Sequence, residues 1–289
     1  MTDRSEVSAD ALASFAVFAD HLNFTRAAEE LHISQPALHV KVRKLAESLG
    51  RPLYRRTGRR LTLTADGEAV ARFAREHDDR LTHFLSEFAG AAYARPVVLA
   101  SGQGAYLYLL GDTIRRMLAD EPTRLRLLNC DHRQMLAAVR SGHAHVGVGV
   151  LDVRPDDLTV LELATFPQML FVPSGHRLAR RRSVTLRDLG GESLVVPPQH
   201  RPQRVLIEQG LRSAGAEWTV AVEAEGWPLI THFAALGVGL AIVNGCVPVP
   251  RGLVAKPVTD LPTVTYHVVH EPSAPNDPRV AALLDRFPW

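Results

Sequence analysis

The sequence predicts an α/β protein built from an N-terminal winged helix-turn-helix, a long linker helix and a two-lobed α/β domain. Three stretches carry this reading. Residues 24–63, FTRAAEELHISQPALHVKVRKLAESLGRPLYRRTGRRLTL, read as two helices joined by a tight turn and followed by a basic hairpin. Residues 65–89 hold an apolar stripe at helical spacing with no proline to interrupt it. From residue 97 onward, strand-like and helix-like runs alternate, and the alternation restarts after about residue 163, which indicates two parallel-sheet lobes.

The first helix of the pair is expected over about Thr25 to Leu31, with Thr25 as its cap and with Ala27, Ala28 and Leu31 on one side. Ser34 is the expected cap of the second helix, and Pro36 sits in its first turn, where a missing N–H is harmless. Leu38, Val42, Leu45 and Leu49 recur at helical spacing and form the buried stripe, which leaves Gln35, His39, Val40, Arg43 and Lys44 on other faces. Gly50 is the expected stop. Pro52–Arg56 and Arg60–Leu63 flank Thr57-Gly58-Arg59, a turn that makes this hairpin the candidate wing.

Charge distinguishes this unit from a generic helical domain. Between Ile33 and Thr64 there are eight basic residues against one acid, Glu47, whereas the whole chain carries a formal charge of only +2. A local basic excess is what phosphate neutralisation on duplex DNA requires. The candidate DNA contacts are Thr25, Ser34, Gln35, Pro36, Ala37, His39, Val40, Arg43 and Lys44 on the helices, and Arg55, Arg56, Arg59 and Arg60 on the wing. Gln35, Pro36, His39 and Val40 occupy the exposed early turns, the part of this motif that enters a major groove.

The segment from Ala65 to about Ala89 carries Val70, Phe73, Leu81, Phe84 and Phe88 along one face, interrupted by His77. A lone helix must bury such a stripe, and a second copy of the chain is the economical partner. Gly90–Pro96 reads as a hinge. Beyond it, strands are expected at Val97–Ala100, Leu125–Leu128 and His145–Val150, with helices at Tyr106–Ala119 and Arg133–Arg140. The second lobe repeats this with strands at Met169–Val172, Ser193–Val196, Val220–Glu223 and Gly239–Val243, and with helices near Arg204–Ala214 and Pro228–Leu236. The strand Val264–His270 and the helix Pro278–Phe287 return to the first lobe.

A ligand cleft is expected beyond the C-terminal ends of these strands. Ser101, Gly102, Gln103, Gly104 and Ala105 form a strand-to-helix turn in which the glycines admit a ligand to the backbone, while Ser101 and Gln103 offer hydrogen bonds. Asn129, Cys130 and His132, then Pro198, Gln199 and His200, then Trp227, occupy comparable edges. His200 followed by Arg201 suggests an acidic ligand.

The segment FTRAAEELHISQPALHVKVRKLAESLGRPLYRRTGRRLTLTADGE resembles the DNA-binding part of the LysR-type transcriptional regulators, and the resemblance extends more weakly over the rest of the chain. It implies a transcriptional regulator rather than an enzyme, with a dimerisation linker helix and a periplasmic-binding-protein-like effector domain. The expected division is 1–64 for the winged helix-turn-helix, 65–94 for the linker and hinge, and 95–289 for the effector domain. Lobe I then spans about 95–162 plus 268–289, and lobe II about 163–267. The resemblance maps Ser101, Gln103, His132, Gln199 and His200 onto effector contacts. The implied partners are double-stranded operator DNA, a small metabolite of anionic character, a second copy of the chain in a homodimer or tetramer, and RNA polymerase. The chain departs from the family pattern at His39, Ala46, His145 and Asn244, where the family usually has serine, an acid, aspartate and proline.

Other classes find less support. A Gly102–Gly104 turn with no third glycine and no lysine is not a nucleotide-binding motif, and neither Gly-x-Ser-x-Gly nor His-Glu-x-x-His occurs. No cofactor or metal is expected, because the thirteen histidines lack ligand spacing. Cys130 and Cys246 admit a thiol redox sensor as an alternative, although they lie far apart in sequence. No apolar run reaches membrane-spanning length and the start lacks a signal-peptide pattern, so a cytoplasmic location is expected.

Overall fold

The computed structural model describes residues 7–58, 60–88, 96–119 and 124–288. The N-terminal unit opens with α1 (Ala9–His21), a helix for which the sequence reading made no provision, followed by α2 (Phe24–Glu30) and α3 (Gln35–Leu49). The cap of α2 is Asn23 rather than Thr25: its Oδ1 accepts from the N–H groups of Thr25 and Arg26 at 3.0 and 3.2 Å. Ser34 caps α3 by accepting from the Ala37 N–H, and Gly50 closes it at φ 65°. Phe15, Phe18, Leu38, Leu45 and Leu53 form the fully buried centre of this unit. The strands β1 (Tyr54–Thr57) and β2 (Arg60–Leu63) pair as an antiparallel hairpin.

The long helix α4 (Ala65–Phe88) follows directly. Ala71 and Ala74 are buried within the core that α1 shares, which puts the small residues of α4 where two helices must approach closely. Phe73, Leu81, Phe84 and Leu85 remain exposed on α4. The expected hinge lies outside the described residues except for Pro96, and the Phe88 side chain is likewise outside them.

Lobe I runs through β3 (Val97–Ser101), α5 (Gln103–Tyr108), α6 (Gly111–Ala119), β4 (Leu125–Asn129), α7 (His132–Arg140), β5 (Val146–Val150) and β6 (Thr159–Phe166). Lobe II comprises β7 (Gln168–Pro173), β8 (Ser193–Val196), α8 (Pro202–Ser213), β9 (Thr219–Glu223), α9 (Trp227–Ala235), β10 (Leu240–Asn244) and β11 (Leu253–Pro257). The chain returns to lobe I as β12 (Val264–His270) and α10 (Pro278–Leu284). The two five-stranded sheets have the orders β4-β3-β5-β12-β6 and β11-β7-β10-β8-β9.

Two differences from the sequence reading have clear causes. The helix expected over Tyr106–Ala119 is broken in two at Leu109 and Leu110, where Leu110 turns fully into the core. The lobe boundaries also shift: β6 pairs with β12 along its length, from Thr159 opposite His270 to Phe166 opposite Val264. Residues 163–166 and 264–267 therefore belong to lobe I, and the crossings lie at Pro167 and just before Val264.

Lobe I rests on the N-terminal unit through a polar seam. An Arg72 nitrogen on α4 donates to the Arg140 carbonyl at 2.8 Å and to Glu271 at 2.7 Å. Arg75 bonds both the Ser141 carbonyl and Asp20 at the end of α1, and His143 approaches the same carboxylate at 3.1 Å. Burial pushes the Asp20 carboxyl up, but His143 and Arg75 outweigh it and hold the group below its ordinary value.

Candidate nucleic-acid interface and interlobe cleft

The face of α3 opposite its buried stripe is open. Gln35, Pro36, Ala37, His39, Val40, Arg43 and Lys44 are all exposed, as are Thr25 and Ser34 beside them. The Thr25 hydroxyl donates to Gln35 Oε1 at 3.3 Å, a contact that aims the amide before any base is met. His39 stacks on Phe24 with ring centroids 3.6 Å apart, so the ring that replaces the family's serine also covers the α2–α3 packing. Lys41 faces α1, bonded to Asp10 at 2.7 Å, and takes no part in this surface.

In the wing, the pairing of Arg55 with Thr62 and of Thr57 with Arg60 puts Arg55 and Arg60 on one face. The Arg55 Nε donates to Thr62 Oγ1 at 3.3 Å, and the Arg56 Nε donates to the Gly58 carbonyl at 3.0 Å. Arg59 lies outside the described residues. Replacing Arg55 and Arg60 by alanine should weaken all duplexes alike, and should lower the slope of log affinity against log salt by roughly one for each phosphate no longer neutralised. Titrations at several salt concentrations check this, and an unchanged slope would mean that the wing points away from DNA. Gln35→Ala should instead relax preference at one position per half-site, by about 1–3 kcal/mol, with little change in nonspecific affinity. Selection from a randomised half-site library is the measurement, and equal losses on every sequence would contradict base reading.

The second candidate site is a cleft of about 1180 Å³ between the two sheets. Ser101, Gly102, Gln103, Gly104, Ala105, Asn129, His132, Pro198 and Trp227 all line it, together with Cys130. Gln199 and His200 do not: both are exposed on the loop beyond β8, outside the cleft lining. Two roles also differ from expectation. The Ser101 hydroxyl is buried and donates to the Val148 carbonyl at 2.7 Å, so it is committed within the fold. A Cβ built on Gly104 would lie 2.7 Å from Trp227 Cδ1, so the space that glycine provides is filled by an indole from lobe II rather than left for a ligand. His145 is structural, since its Nδ1 accepts from the Val98 N–H at 2.9 Å.

Several cleft residues were not singled out from the sequence. Arg154 pairs with Glu162, and His132 stands 3.6 Å from Asp152. Arg201 pairs with Glu225, so the cation expected to attract an acid is already matched. Gln168, Tyr266 and His267 line the inner wall. Asn244 donates to the Tyr266 hydroxyl at 3.0 Å, which places the residue that replaces the family's proline at the interlobe crossing. Both thiols are pushed above their ordinary value by burial, reinforced at Cys130 by the neighbouring Asp131. That disfavours the thiolate a redox sensor needs. Among the described residues no cluster suited to a metal ion occurs, and no helix is long and apolar enough to cross a membrane.

Comparison with known proteins matches both halves. The family model described as LysR substrate binding domain covers residues 91–287, and that described as bacterial regulatory helix-turn-helix protein, lysR family, covers residues 9–68. The RuBisCO operon transcriptional regulator of Acidithiobacillus ferrooxidans is 47% identical over 78 residues, which is 27% of this chain and 25% of that protein. The Hca operon transcriptional activator HcaR of Escherichia coli (strain K12) is 26% identical over 283 residues, covering 94% of this chain and 89% of that one. A full-length OxyR variant from Pseudomonas aeruginosa superposes with a TM-score of 0.71 at 21% identity, over 97% of this chain and 94% of that chain, a likeness of fold. With one family model on the helix-turn-helix and the other on the two lobes around the cleft, the chain belongs to the LysR family and is a LysR-type transcriptional regulator with an effector-binding domain.

Proposed function

We propose that two copies of this chain, joined through α4, grip duplex operator DNA with paired α3 helices and wings, and that a small molecule in the interlobe cleft sets how the two grips are disposed. The observation that carries this reading is the cleft itself: it lies between two sheets joined at two crossings, and lobe I bears directly on α1 through His143 and on α4 through Arg72 and Arg75. A ligand shifts such an equilibrium only by binding one lobe arrangement better than another. The exposed Phe73, Leu81 and Leu85 of α4 supply apolar area for the partner copy. Two α3 helices related by that dyad require half-sites one or more DNA turns apart. The protein acts in the cytoplasm, where the operator is, without turning over its ligand.

Selection of full-length protein against random duplexes tests the first half of the reading. A partly palindromic site should emerge, and recovery of no sequence above background would count against operator recognition. Thermal-shift screening of metabolites tests the second half, since a ligand that binds the folded state raises apparent stability by mass action. The seam supplies a further expectation. Arg72→Ala combined with Arg75→Ala removes the side chains that tie α4 to the 140–143 loop and to Glu271. Operator binding without ligand should persist while the ligand-dependent change in that binding is lost, as read by footprinting. A normal ligand response would send the coupling through another route.

A further inference from the structure

Two buried polar atoms on cleft-lining residues have no hydrogen-bond partner. Among the described residues, these are Gln168 Oε1 and His267 Nδ1, on side chains whose residues are 1% and 6% exposed. The Gln168 amide has a determined orientation. Its Nε2 donates to the Pro262 carbonyl at 3.2 Å, an acceptor that would repel the oxygen, so Oε1 is the atom left over. Gln168 opens β7 immediately after the first crossing, and Pro262 lies just before the second, so this amide spans the two connections between the lobes. His267 lies on β12 between Gly149 of β5 and Glu162 of β6, so it has a side chain beside it on one flank only. Burial and the nearby Arg154 push its pKa down, outweighing Glu162 and a hydrogen bond with the Thr265 backbone, and so favour the neutral imidazole.

The charges around these atoms point the same way. The cleft is lined by four carboxylates, Asp131, Asp152, Glu162 and Glu225, against two guanidinium groups, Arg154 and Arg201. Each guanidinium is already engaged, by Glu162 and by Glu225 respectively. An anionic effector would have to share one of these guanidinium groups with its carboxylate partner and enter a field of surplus carboxylate. A ligand bearing N–H donors would meet an unused carbonyl oxygen and a neutral imidazole, and would be favoured by the same field.

We propose that the effector is a hydrogen-bond donor of cationic or neutral character, an amine, amidine or amide, whose N–H groups are received by Gln168 Oε1 and His267 Nδ1 at the inner end of the cleft. This rests on the cleft being the effector site. Because the Gln168 amide bonds across both crossings, a ligand held there acts on the hinge as well as on the lobes.

The test uses full-length protein and two matched probe series: 1,4-diaminobutane, succinamide and succinate, and benzylamine, benzamide and benzoate. Affinity is read by calorimetry, and Trp227 emission, taken as the part of the signal from the three tryptophans that Trp227→Phe removes, reports cleft occupancy independently. The amine or amide of at least one series should bind at least tenfold more tightly than its carboxylate. Gln168→Leu and His267→Phe should each weaken that probe at least tenfold, while Gln168→Glu should strengthen the amine and not the amide. Melting of each variant without probe separates loss of recognition from loss of fold, and the Gln168→Glu result needs only a folded protein. Three outcomes overturn the assignment: preference for the carboxylate, indifference of the bound amine or amide to all three substitutions, or binding of no amine or amide. Carboxylate binding that quenches Trp227 would retain the cleft as the site and sink only the donor class. Binding that alters neither Trp227 emission nor responds to any cleft variant would sink the cleft reading itself.

Discussion

Gly67→Ala is expected to abolish operator binding although residue 67 is buried and lies outside the candidate DNA-contact surface. A Cβ at this position would lie 1.8 Å from the Leu53 carbonyl oxygen and 2.8 Å from its carbon, and neither atom can rotate away as a side chain could. The same junction is tied by hydrogen bonds. The Thr64 N–H donates to the Leu53 carbonyl at 3.1 Å, the Thr64 hydroxyl to the Pro52 carbonyl at 2.6 Å, and the Gly67 N–H to Thr64 Oγ1 at 3.0 Å. Relieving the overlap means moving either the start of α4 or the strand entering the wing, and both carry the relative placement of wing and α3. Overpacking of this kind costs about 1–3 kcal/mol, and more where the obstacle is backbone. In a unit of this size each kcal/mol lowers the melting temperature by roughly 4–8 °C. Gly111→Ala is the control, since its Cβ would meet nothing within 4 Å. Scanning calorimetry and operator titration of both variants decide the matter. Unchanged melting and full affinity for Gly67→Ala would show that α4 can shift on the wing without consequence.

The N-terminal unit was legible in the sequence because its determinants are local. Ser34, Pro36 and Gly50 mark the ends of α3 within the segment itself, and the Leu38, Val42, Leu45 stripe recurs within a few turns. Asn23 was missed as the cap of α2 because Thr25 is an equally good capping residue two positions on, and only the observed bond from Asn23 Oδ1 distinguishes them. Lys41 counted toward the basic excess, yet its ammonium is held by Asp10, thirty-one positions away. A charge total cannot register that.

The cleft was half legible for the same reason in reverse. Its C-terminal strand edges follow from the βα alternation, and Ser101 to Ala105, Asn129, His132 and Trp227, which that alternation put at those edges, line the cleft. Gln199 and His200 occupy the right edge in sequence, but their loop turns them to solvent. Gln168 and His267 left one trace, a polar residue within an otherwise apolar strand run. What gives them meaning is nonlocal: Pro262 lies 94 positions from Gln168 and takes one end of its amide. The lobe boundary failed likewise, since β6 declares its sheet only by pairing with β12, some hundred residues later, as in the Thr165 and Thr265 hydroxyl contact at 2.8 Å.

Gly104→Val is expected to disable the effector response by prising the lobes apart at their rim. The Cδ1 and Nε1 edge of Trp227 lies over Gly104, with an added Cβ only 2.7 and 3.1 Å from those atoms. Beside it, Gly226 takes a φ of 86°, and a Cβ there would come within 3.1 Å of Gln103 Oε1. Two glycines, one from each lobe, thus let the turn after β3 and the start of α9 meet. Valine at residue 104 displaces a large ring rather than a flexible chain, so the rim opens and Trp227 becomes more solvated. Its emission should shift to longer wavelength before any ligand is added. Trp227→Ala vacates the same space and should itself weaken ligand binding. Added to Gly104→Val, however, it should cost less stability than the two single changes summed. For residues in direct contact the coupling in such a cycle is about 0.5–3 kcal/mol, whereas independent sites add to within a few tenths. The cycle is measured by denaturant unfolding of the four full-length proteins, with operator affinity in the presence and absence of ligand as the functional readout. Strict additivity would mean that indole and glycine do not meet in solution and that the rim already stands open. Coupling together with a preserved ligand response would mean that the contact closes the lobes without serving the sensor.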